Sequence, residues 1–420
     1  MLNIAKYFYP NDRKLDFVFQ NLLQVRANNF NTDLYPLETL ITASDPMRDA
    51  QGKLVNYKAG AVFQLPETYV DEDRGVVITR DQWTRDALYL NFECHPDTHF
   101  ASHEHADRGR FVFAALGRNW AWQDSRPHET AQANSVLIDG VGQGFFPTYG
   151  RWLGYTDNKD TTLASYAYDW KWQKEAGMWP DDDSRFTAPF YASLRDNAKH
   201  LDPAITESDP LPQIVAYYKP YIVGNPRFWD EDSWVVRQAN NPVRYAFREA
   251  GLVRGAHPYA LITDDIKKDD ATHTYKWLMQ LEEDPYIAHQ EHTGNVRDIV
   301  LAEKNGDRLL LLRVLDQDAG EPAAFTEHYP TEYKLQGNPL SQPTMYRLTV
   351  PSMIVAYHSR VVLYPLRKGE PLPAIQWDAG TGNAQLSGAA LHDELDFTAS
   401  ADGRTKTRIL RDGQTISQTK

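Results

Sequence analysis

The chain has 420 residues and a formal net charge of −13, and 12% of its residues are aromatic. A chain of this length buries a substantial core and has room for two or three domains. The negative charge argues against a nucleic-acid partner, and no run of 18 apolar residues predicts a membrane span. The single cysteine, Cys94, excludes a disulfide within the chain.

The first predicted element is an amphipathic helix over residues 12–27. Asn11 and Asp12 are good N-cap residues, and apolar side chains recur after them at helical spacing until Asn28. The sequence therefore predicts a helical N-terminal segment and linker over residues 1–58.

From about Gly60 the sequence changes to short β-type runs separated by turns. This pattern predicts a mainly β fold over residues 59–370, in the form of a large antiparallel β-sandwich or supersandwich. The apolar run at 307–313 is continuous, which is typical of a strand covered on both faces. The segments predicted as strands are 75–80, 87–92, 111–116, 135–138, 244–248, 259–263, 273–281, 307–313, 346–350, 353–357 and 359–364.

Two further segments depart from this pattern. Residues 170–240 are acidic and irregular, and we expect a long insertion there. After a proline-rich joint, residues 371–420 carry weaker strands. We expect them to close the sandwich or to form a small appended sheet, and not to fold as an independent domain.

A histidine-rich segment is the strongest candidate for chemistry. His103 and His105 lie two residues apart just before an alternating apolar run, so in a strand their side chains share one face. Asp124 would come from the neighbouring strand, because residues 117–119 are typical of a turn. Two imidazoles and a carboxylate suit zinc or manganese. The alternative is that these histidines are surface or hydrogen-bonded residues, since this spacing alone is a weak signal.

Several segments together resemble the heparinase II/III-like family of polysaccharide lyases. The β-domain of that family carries a run close to HGHADAGSF, then a carboxylate near VDPG, then HNTVLVDG. The similar segments of this chain are 103–111, 122–125 and 133–140, and the resemblance also covers 65–69, 75–83, 247–259 and 264–268.

This resemblance implies cleavage of uronic-acid-containing polysaccharide by β-elimination, in which the C5 proton is removed and the C4 glycosidic oxygen is expelled. His103 would face the substrate as a catalytic residue. His105 and Asp124 would bind a divalent metal, with zinc favoured over manganese or calcium. The partner would be an acidic polysaccharide.

The resemblance also suggests residues that bind the substrate. Arg110 and Arg151 would contact a carboxylate or a sulfate, since guanidinium groups pair with both in bidentate fashion. The alternative for each arginine is an exposed strand charge. Asn134 would orient the site.

The chain departs from the family pattern in two ways. Ala133 stands where the family has its third metal-binding histidine, so the metal site is expected to be degraded unless His128 replaces that ligand. The N-terminal (α/α) toroid of the family is absent, which suggests an upstream or separate toroid domain. Relatives are commonly periplasmic or secreted, yet residues 1–7 lack the apolar run of a signal peptide.

These departures leave two functions open. The chain is either a polysaccharide lyase domain that is incomplete without a toroid, or a non-catalytic carbohydrate-binding β-sandwich module. A hydrolase of the same shape has no support, because no paired-carboxylate signature is present.

Overall fold

The chain divides into two compact units, and the computed structural model mainly describes the one formed by Thr68–Asp81 and Asp86–Lys420. The predicted helix at 12–27 and nearly all of the segment 170–240 lie outside the described residues, so both stay predictions. Within the described ranges, no helix has the length and apolar character needed to cross a bilayer. The described residues are 66–84, 86–94, 107–122, 130–143, 150–168, 173–174, 243–282, 285–315, 322–328, 345–388 and 390–419.

The predicted mainly β fold is confirmed. Strands occupy most of the described residues, and a short 3-10 helix covers Thr130–Gln132. The first twelve strands are β1 (Thr68–Asp71), β2 (Val76–Arg80), β3 (Tyr89–Glu93), β4 (Arg110–Ala115), β5 (Arg118–Ala121), β6 (Val136–Ile138), β7 (Val141–Gly142), β8 (Gly150–Asp157), β9 (Thr161–Tyr168), β10 (Gln173–Lys174), β11 (Tyr245–Val253) and β12 (Tyr259–Lys267). The others are β13 (His273–Glu282), β14 (Pro285–Thr293), β15 (Val296–Glu303), β16 (Arg308–Leu315), β17 (Ala324–His328), β18 (Met345–Ile354), β19 (Tyr357–Arg367), β20 (Ala374–Asp378), β21 (Asn383–Gly388), β22 (Leu391–Ala399), β23 (Thr405–Arg411) and β24 (Gln414–Gln418).

These strands form four antiparallel sheets. The N-terminal sheet has the order β1-β2-β3-β4-β5, and the six-stranded sheet has the order β10-β7-β6-β13-β18-β17. The central sheet has eight strands in the order β14-β15-β16-β19-β12-β11-β9-β8, and the C-terminal sheet runs from β20 to β24 in sequence order. The central sheet draws neighbours from distant parts of the chain, whereas the N-terminal and C-terminal sheets are simple meanders.

The central sheet is covered on both faces. Ile262 on one face shares a core cluster with Phe113 of the N-terminal sheet and Trp277 of the six-stranded sheet. The neighbouring Leu261 points to the other face and shares a second cluster with Leu395 of the C-terminal sheet. Because successive residues of a strand point to opposite faces, a strand covered on both sides is buried along its length.

The continuous apolar run at 307–313 has the predicted environment. Leu312 of β16 belongs to the core shared with the N-terminal and six-stranded sheets, whereas Leu311 belongs to the core shared with the C-terminal sheet. The sequence predicted this strand well because a two-sided strand needs no polar alternation.

One predicted boundary is wrong. The sequence suggested separate strands at 346–350 and 353–357, but β18 continues through Pro351 to Ile354. Pro351 pairs with Lys276 on one side, while β17 contacts β18 only as far as Thr349, so among the described residues the other side has no strand neighbour there. Proline lacks a backbone N–H and is tolerated where a strand needs no second set of ladder bonds.

The C-terminal strands form an appended sheet with one buried face. In β22, Leu391, Asp393, Leu395 and Phe397 are buried while the residues between them are more accessible. This alternation is typical of a sheet that packs on one side only. The predicted limits 1–58, 59–370 and 371–420 stay predictions.

Candidate functional site

The described residues include three of the predicted site residues and the flanks of the others. Arg110, Asn134 and Arg151 are described. His103, His105, Asp124 and His128 lie outside the described residues, in the segments 95–106 and 123–129.

Asn134 is fully buried and crosslinks three parts of the β-structure. Its Nδ2 donates to the carbonyl oxygen of Phe111 at 2.6 Å and to that of Trp122 at 3.1 Å. Its Oδ1 accepts from the backbone N–H of Gln280 at 2.6 Å. Both amide N–H groups are therefore engaged with the protein itself, and a direct contact between Asn134 and substrate stays a prediction.

Gln280 extends this crosslink on β13. Its Nε2 donates to the carbonyl oxygens of Ala131 at 2.9 Å and Ala133 at 3.3 Å. Ala133 has no exposed surface. The position where the resemblance expects a third metal ligand is therefore a buried alanine beside the amide of Gln280.

A buried ion pair lies next to Asn134. Arg248 of β11 and Asp264 of β12 are completely buried, and two parallel hydrogen bonds of 2.6 and 2.9 Å join them. The Nη1 of Arg248 also donates to the carbonyl oxygens of Gly109 at 2.7 Å and Asn134 at 2.8 Å. Burial opposes the charge on Arg248, but the attraction of Asp264 outweighs it and raises the pKa of Arg248. Burial also raises the pKa of Asp264, and the attraction of Arg248 only partly opposes that effect.

Gly109 allows the backbone to turn beside this ion pair. Its φ of +77° lies in the left-handed region, and a Cβ there would stand 3.5 Å from Cδ of Arg248 and 3.6 Å from the ring of Tyr168. A glycine adopts this φ at little cost, whereas most other residues are strained there.

Gln143 ties a third segment to the same place. Its Oε1 accepts from the backbone N–H of Arg108 at 2.9 Å, and its Nε2 donates to the Arg108 carbonyl at 2.8 Å and to Ser135 Oγ at 3.1 Å. We call Asn134, Gln143, Arg248, Asp264 and Gln280 the buried polar scaffold. It joins the residues that border the segments 95–106, 123–129 and 144–149.

Arg110 is paired with two carboxylates. Its Nη1 lies 3.0 Å from Oδ2 of Asp107, its Nε lies 3.0 Å from Oε2 of Glu93, and its Nη2 also contacts that Glu93 oxygen. Burial opposes the charge, but the attraction of Asp107 and Glu93 outweighs it and raises the pKa of Arg110. The guanidinium would have to exchange these partners to bind a substrate carboxylate.

Arg151 has a different environment. It is exposed on β8, the edge strand of the central sheet. Its exposed side chain is accessible to an anionic ligand, and among the described residues no ion pair holds it.

Cys94 is the last described residue before the histidine-rich segment. It is buried, and burial raises the pKa of its thiol to about 12. The thiol therefore stays protonated near neutral pH, which argues against a nucleophilic role.

The described residues do not test the predicted metal site. The described ranges contain no group of three or more His, Cys, Asp or Glu side chains that could hold an ion. The predicted ligands His105, Asp124 and His128 lie outside those ranges, so zinc stays a prediction.

Sequence reasoning assigned no role to Arg248, Asp264, Gln143 or Gln280. A signal was present for the first two, because Arg248 ends the predicted strand 244–248 and Asp264 directly follows the predicted strand 259–263. Such charges are seldom buried without a partner. The two glutamines carried no comparable signal, since amide side chains are common on exposed strands.

Comparisons with known proteins give similarities to solved structures only. No protein-family model matches the chain, and no curated protein matches it. The structure of a heparinase III has a TM-score of 0.45 at 12% identity and covers 85% of this chain and 43% of its own. Heparan sulfate lyase from Pedobacter heparinus has a TM-score of 0.42 at 12% identity, covering 96% and 47%. A heparinase III gene product with methylated lysines has a TM-score of 0.44 at 10% identity, covering 84% and 42%. The chain thus spans less than half the length of each.

Proposed function

We propose that this chain is the β-sandwich part of a polysaccharide lyase that cleaves uronic-acid-containing polysaccharide by β-elimination. A toroid domain, upstream or on another chain, completes the cleft. The proposal rests on the resemblance of the motifs around His103, Asp124 and Asn134 to those of the heparinase II/III-like family.

One observation carries the proposal. The amide of Asn134 joins Phe111, eight residues after His103, to Trp122, two residues before Asp124. The residues bordering both candidate segments are therefore held together in the folded core. This supports a common site for the histidines and the carboxylate.

The chemistry needs a charge-stabilised transition state. The C5 proton of a uronate is weakly acidic until its carboxylate is neutralised, so cationic or hydrogen-bonding groups beside the carboxylate lower the barrier most. A positioned acid or base adds about 10²–10⁴-fold. In the proposed arrangement His103 handles the proton, and Arg151 pairs with a carboxylate of the polymer.

An absorbance assay tests this function directly. β-Elimination leaves an unsaturated uronate at the new non-reducing end, which absorbs in the ultraviolet. Alginate, heparan sulfate, chondroitin sulfate and hyaluronan serve as substrates, with the chain supplied alone and with a toroid domain. We expect absorbance to grow with one of them and His103→Ala to abolish the growth. Depolymerisation without this absorbance would show a hydrolase instead.

One contact favours a second function, a non-catalytic carbohydrate-binding module. Arg110 is held between Glu93 and Asp107, so one of the two predicted substrate arginines is already neutralised. A module of this kind would bind the same polymers without producing unsaturated ends.

A further inference from the structure

A cleft lies at the β8 edge of the central sheet, beside the C-terminal sheet, and none of the buried polar scaffold residues lines it. Its volume is about 280 Å³, just below the usual range of about 300–1,000 Å³ for small-ligand sites, which suits a single sugar unit. The side chains that line it include Glu72, Trp152, Tyr155, Ser165, Arg404 and Thr419.

The strand that forms one wall is locally irregular. The pairing of β8 with β9 shifts between Trp152 and Gly154, and Gly154 has a φ of +135°. A bulge of this kind on an edge strand changes the direction of the neighbouring side chains. The bulge thus shapes the wall that carries both aromatic residues.

The two aromatic rings of this wall are in contact. Trp152 is held by an edge-on contact with Tyr166 at 4.7 Å, and its ring centroid lies 5.8 Å from that of Tyr155. Tyr155 nevertheless keeps 41% of its surface exposed. An aromatic ring that is fixed at one side and open to water at the other offers a stacking surface for an apolar ring face.

The hydroxyl groups of the cleft are oriented by buried partners. Ser165 Oγ donates to Oε2 of Glu249 at 2.7 Å. Thr419 Oγ1 accepts from the backbone N–H of Thr407 at 2.9 Å. Polar groups held in this way suit a ligand that carries many hydroxyls.

The charges of the lining balance. Glu72 supplies one carboxylate and Arg404 one guanidinium. A lining without net charge disfavours a bare uronate and suits a neutral sugar. From stacking surface, size and charge together, we infer that this cleft binds a neutral pyranose unit of a glycan, as a second carbohydrate site that uses none of the predicted site residues. The choice of a carbohydrate rests on the proposed function.

Direct binding measurements test the inference. The probes are cellobiose, N,N′-diacetylchitobiose and glucuronic acid. Each is titrated into the full chain carrying His103→Ala, and its binding is followed by saturation-transfer NMR. We expect one of the neutral disaccharides to bind and glucuronic acid to bind more weakly. Tyr155→Ala should weaken the affinity for the neutral disaccharide about tenfold or more, as expected for a lost stacking contact. Tyr155→Phe should preserve binding.

Tyr286→Ala is the matched control. Tyr286 is 45% exposed on β14, at the opposite edge of the central sheet, so its loss should leave binding unchanged. The inference is overturned if neither neutral disaccharide binds, if glucuronic acid binds as tightly as they do, or if the Tyr155 and Tyr286 alanine variants behave alike. Because no turnover is measured, a failed lyase assay and a failed cleft are separate results.

Discussion

Asn134 forms hydrogen bonds with three backbone groups at once. Because its side chain is fully buried, water cannot replace it as their partner. A buried polar group left without a partner costs more than an ordinary hydrogen bond contributes. The residue therefore acts on the candidate site through the positions of Phe111 and Trp122.

Replacing Asn134 should destabilise the fold strongly. Asn134→Ala leaves two carbonyls and one N–H without partners, and we expect a loss of about 3 kcal/mol or more, at about 1–3 kcal/mol for each stranded group. Denaturant unfolding followed by fluorescence measures the change. Gln290→Ala, which removes an exposed amide on β14, is the control, and its stability should be close to that of the unaltered protein. Equal stability of the two variants would show that the crosslink contributes little.

Metal retention tests the predicted ligands. With alanine at position 133, any zinc should be weakly held, so dialysis against a chelator should remove it from the unaltered chain. Elemental analysis gives the metal content, and His105→Ala or Asp124→Ala should prevent reloading. His289→Ala, an exposed histidine on β14, should reload normally. Stoichiometric zinc that survives dialysis in His128→Ala would contradict a degraded site.

At the scale of elements, the contact between the central and C-terminal sheets contains buried carboxylates in two different electrostatic settings. Burial raises the pKa of Glu249, and hydroxyl donors including Ser165 only partly oppose it. Burial also opposes the charge on Asp265, but Arg360 at 2.7 Å and His358 outweigh it and lower the pKa of Asp265. The two carboxylates therefore affect stability with opposite pH dependence.

Glu249→Gln should stabilise the protein near neutral pH. Since the folded pKa of Glu249 lies above its usual value of 4.5, its contribution to stability is greatest below that pH and falls as the pH rises through the folded pKa. The advantage of the glutamine variant should thus shrink as the pH approaches 4.5. Thermal unfolding across pH measures this.

Asp265→Asn should change stability in the opposite direction from Glu249→Gln. Its folded pKa is depressed, so its contribution is fully present above the usual value of 3.8 and is lost as the pH falls through the folded pKa. The variant should be less stable at neutral pH. Parallel pH profiles for the two variants would refute this account of the sheet contact.

The elements show where sequence reasoning succeeds. The run at 307–313 was predicted as a strand covered on both faces because Leu311 and Leu312 both need burial. The boundary at Pro351 failed, because whether a proline fits a strand depends on which side its neighbours occupy, and that is set by distant residues of β13 and β17. For the same reason the sequence suggested candidate ligands but missed the partnership of Arg248 with Asp264, which pairs two separate strands.

The C-terminal sheet should be necessary for a stable core. Ending the chain after Glu370 would uncover Leu261, Leu311 and Val362 of the central sheet, and buried apolar side chains of this size contribute about 1.5–3 kcal/mol each. We expect the shortened chain to aggregate or to bind a hydrophobic dye. Dye fluorescence measures the exposed apolar surface, and calorimetry measures the unfolding temperature. Cooperative unfolding at an unchanged temperature would mean that residues 371–420 form an independent domain.

For the whole molecule, the proposed function implies that one wall of the cleft comes from elsewhere. Catalytic groups act through precise placement, and effective concentration falls when half of them are missing. The 420-residue chain alone should therefore bind acidic polysaccharide weakly and turn it over slowly or not at all. Supplying a toroid domain should raise the rate of absorbance increase by orders of magnitude. Robust cleavage by the chain alone would show that its own side chains complete the site.

The two-sided burial of the central sheet also bears on how the protein is made. Its strands lie between residues 150 and 367, but the sheet that covers its second face begins only at Ala374 and ends at Gln418. Until those residues leave the ribosome, the nascent chain has an apolar sheet face with nothing to cover it. Exposed faces of this kind promote aggregation and attract chaperones during synthesis. The strands of the C-terminal sheet, which are translated after the central sheet, thus determine when this apolar face is covered and protected from aggregation.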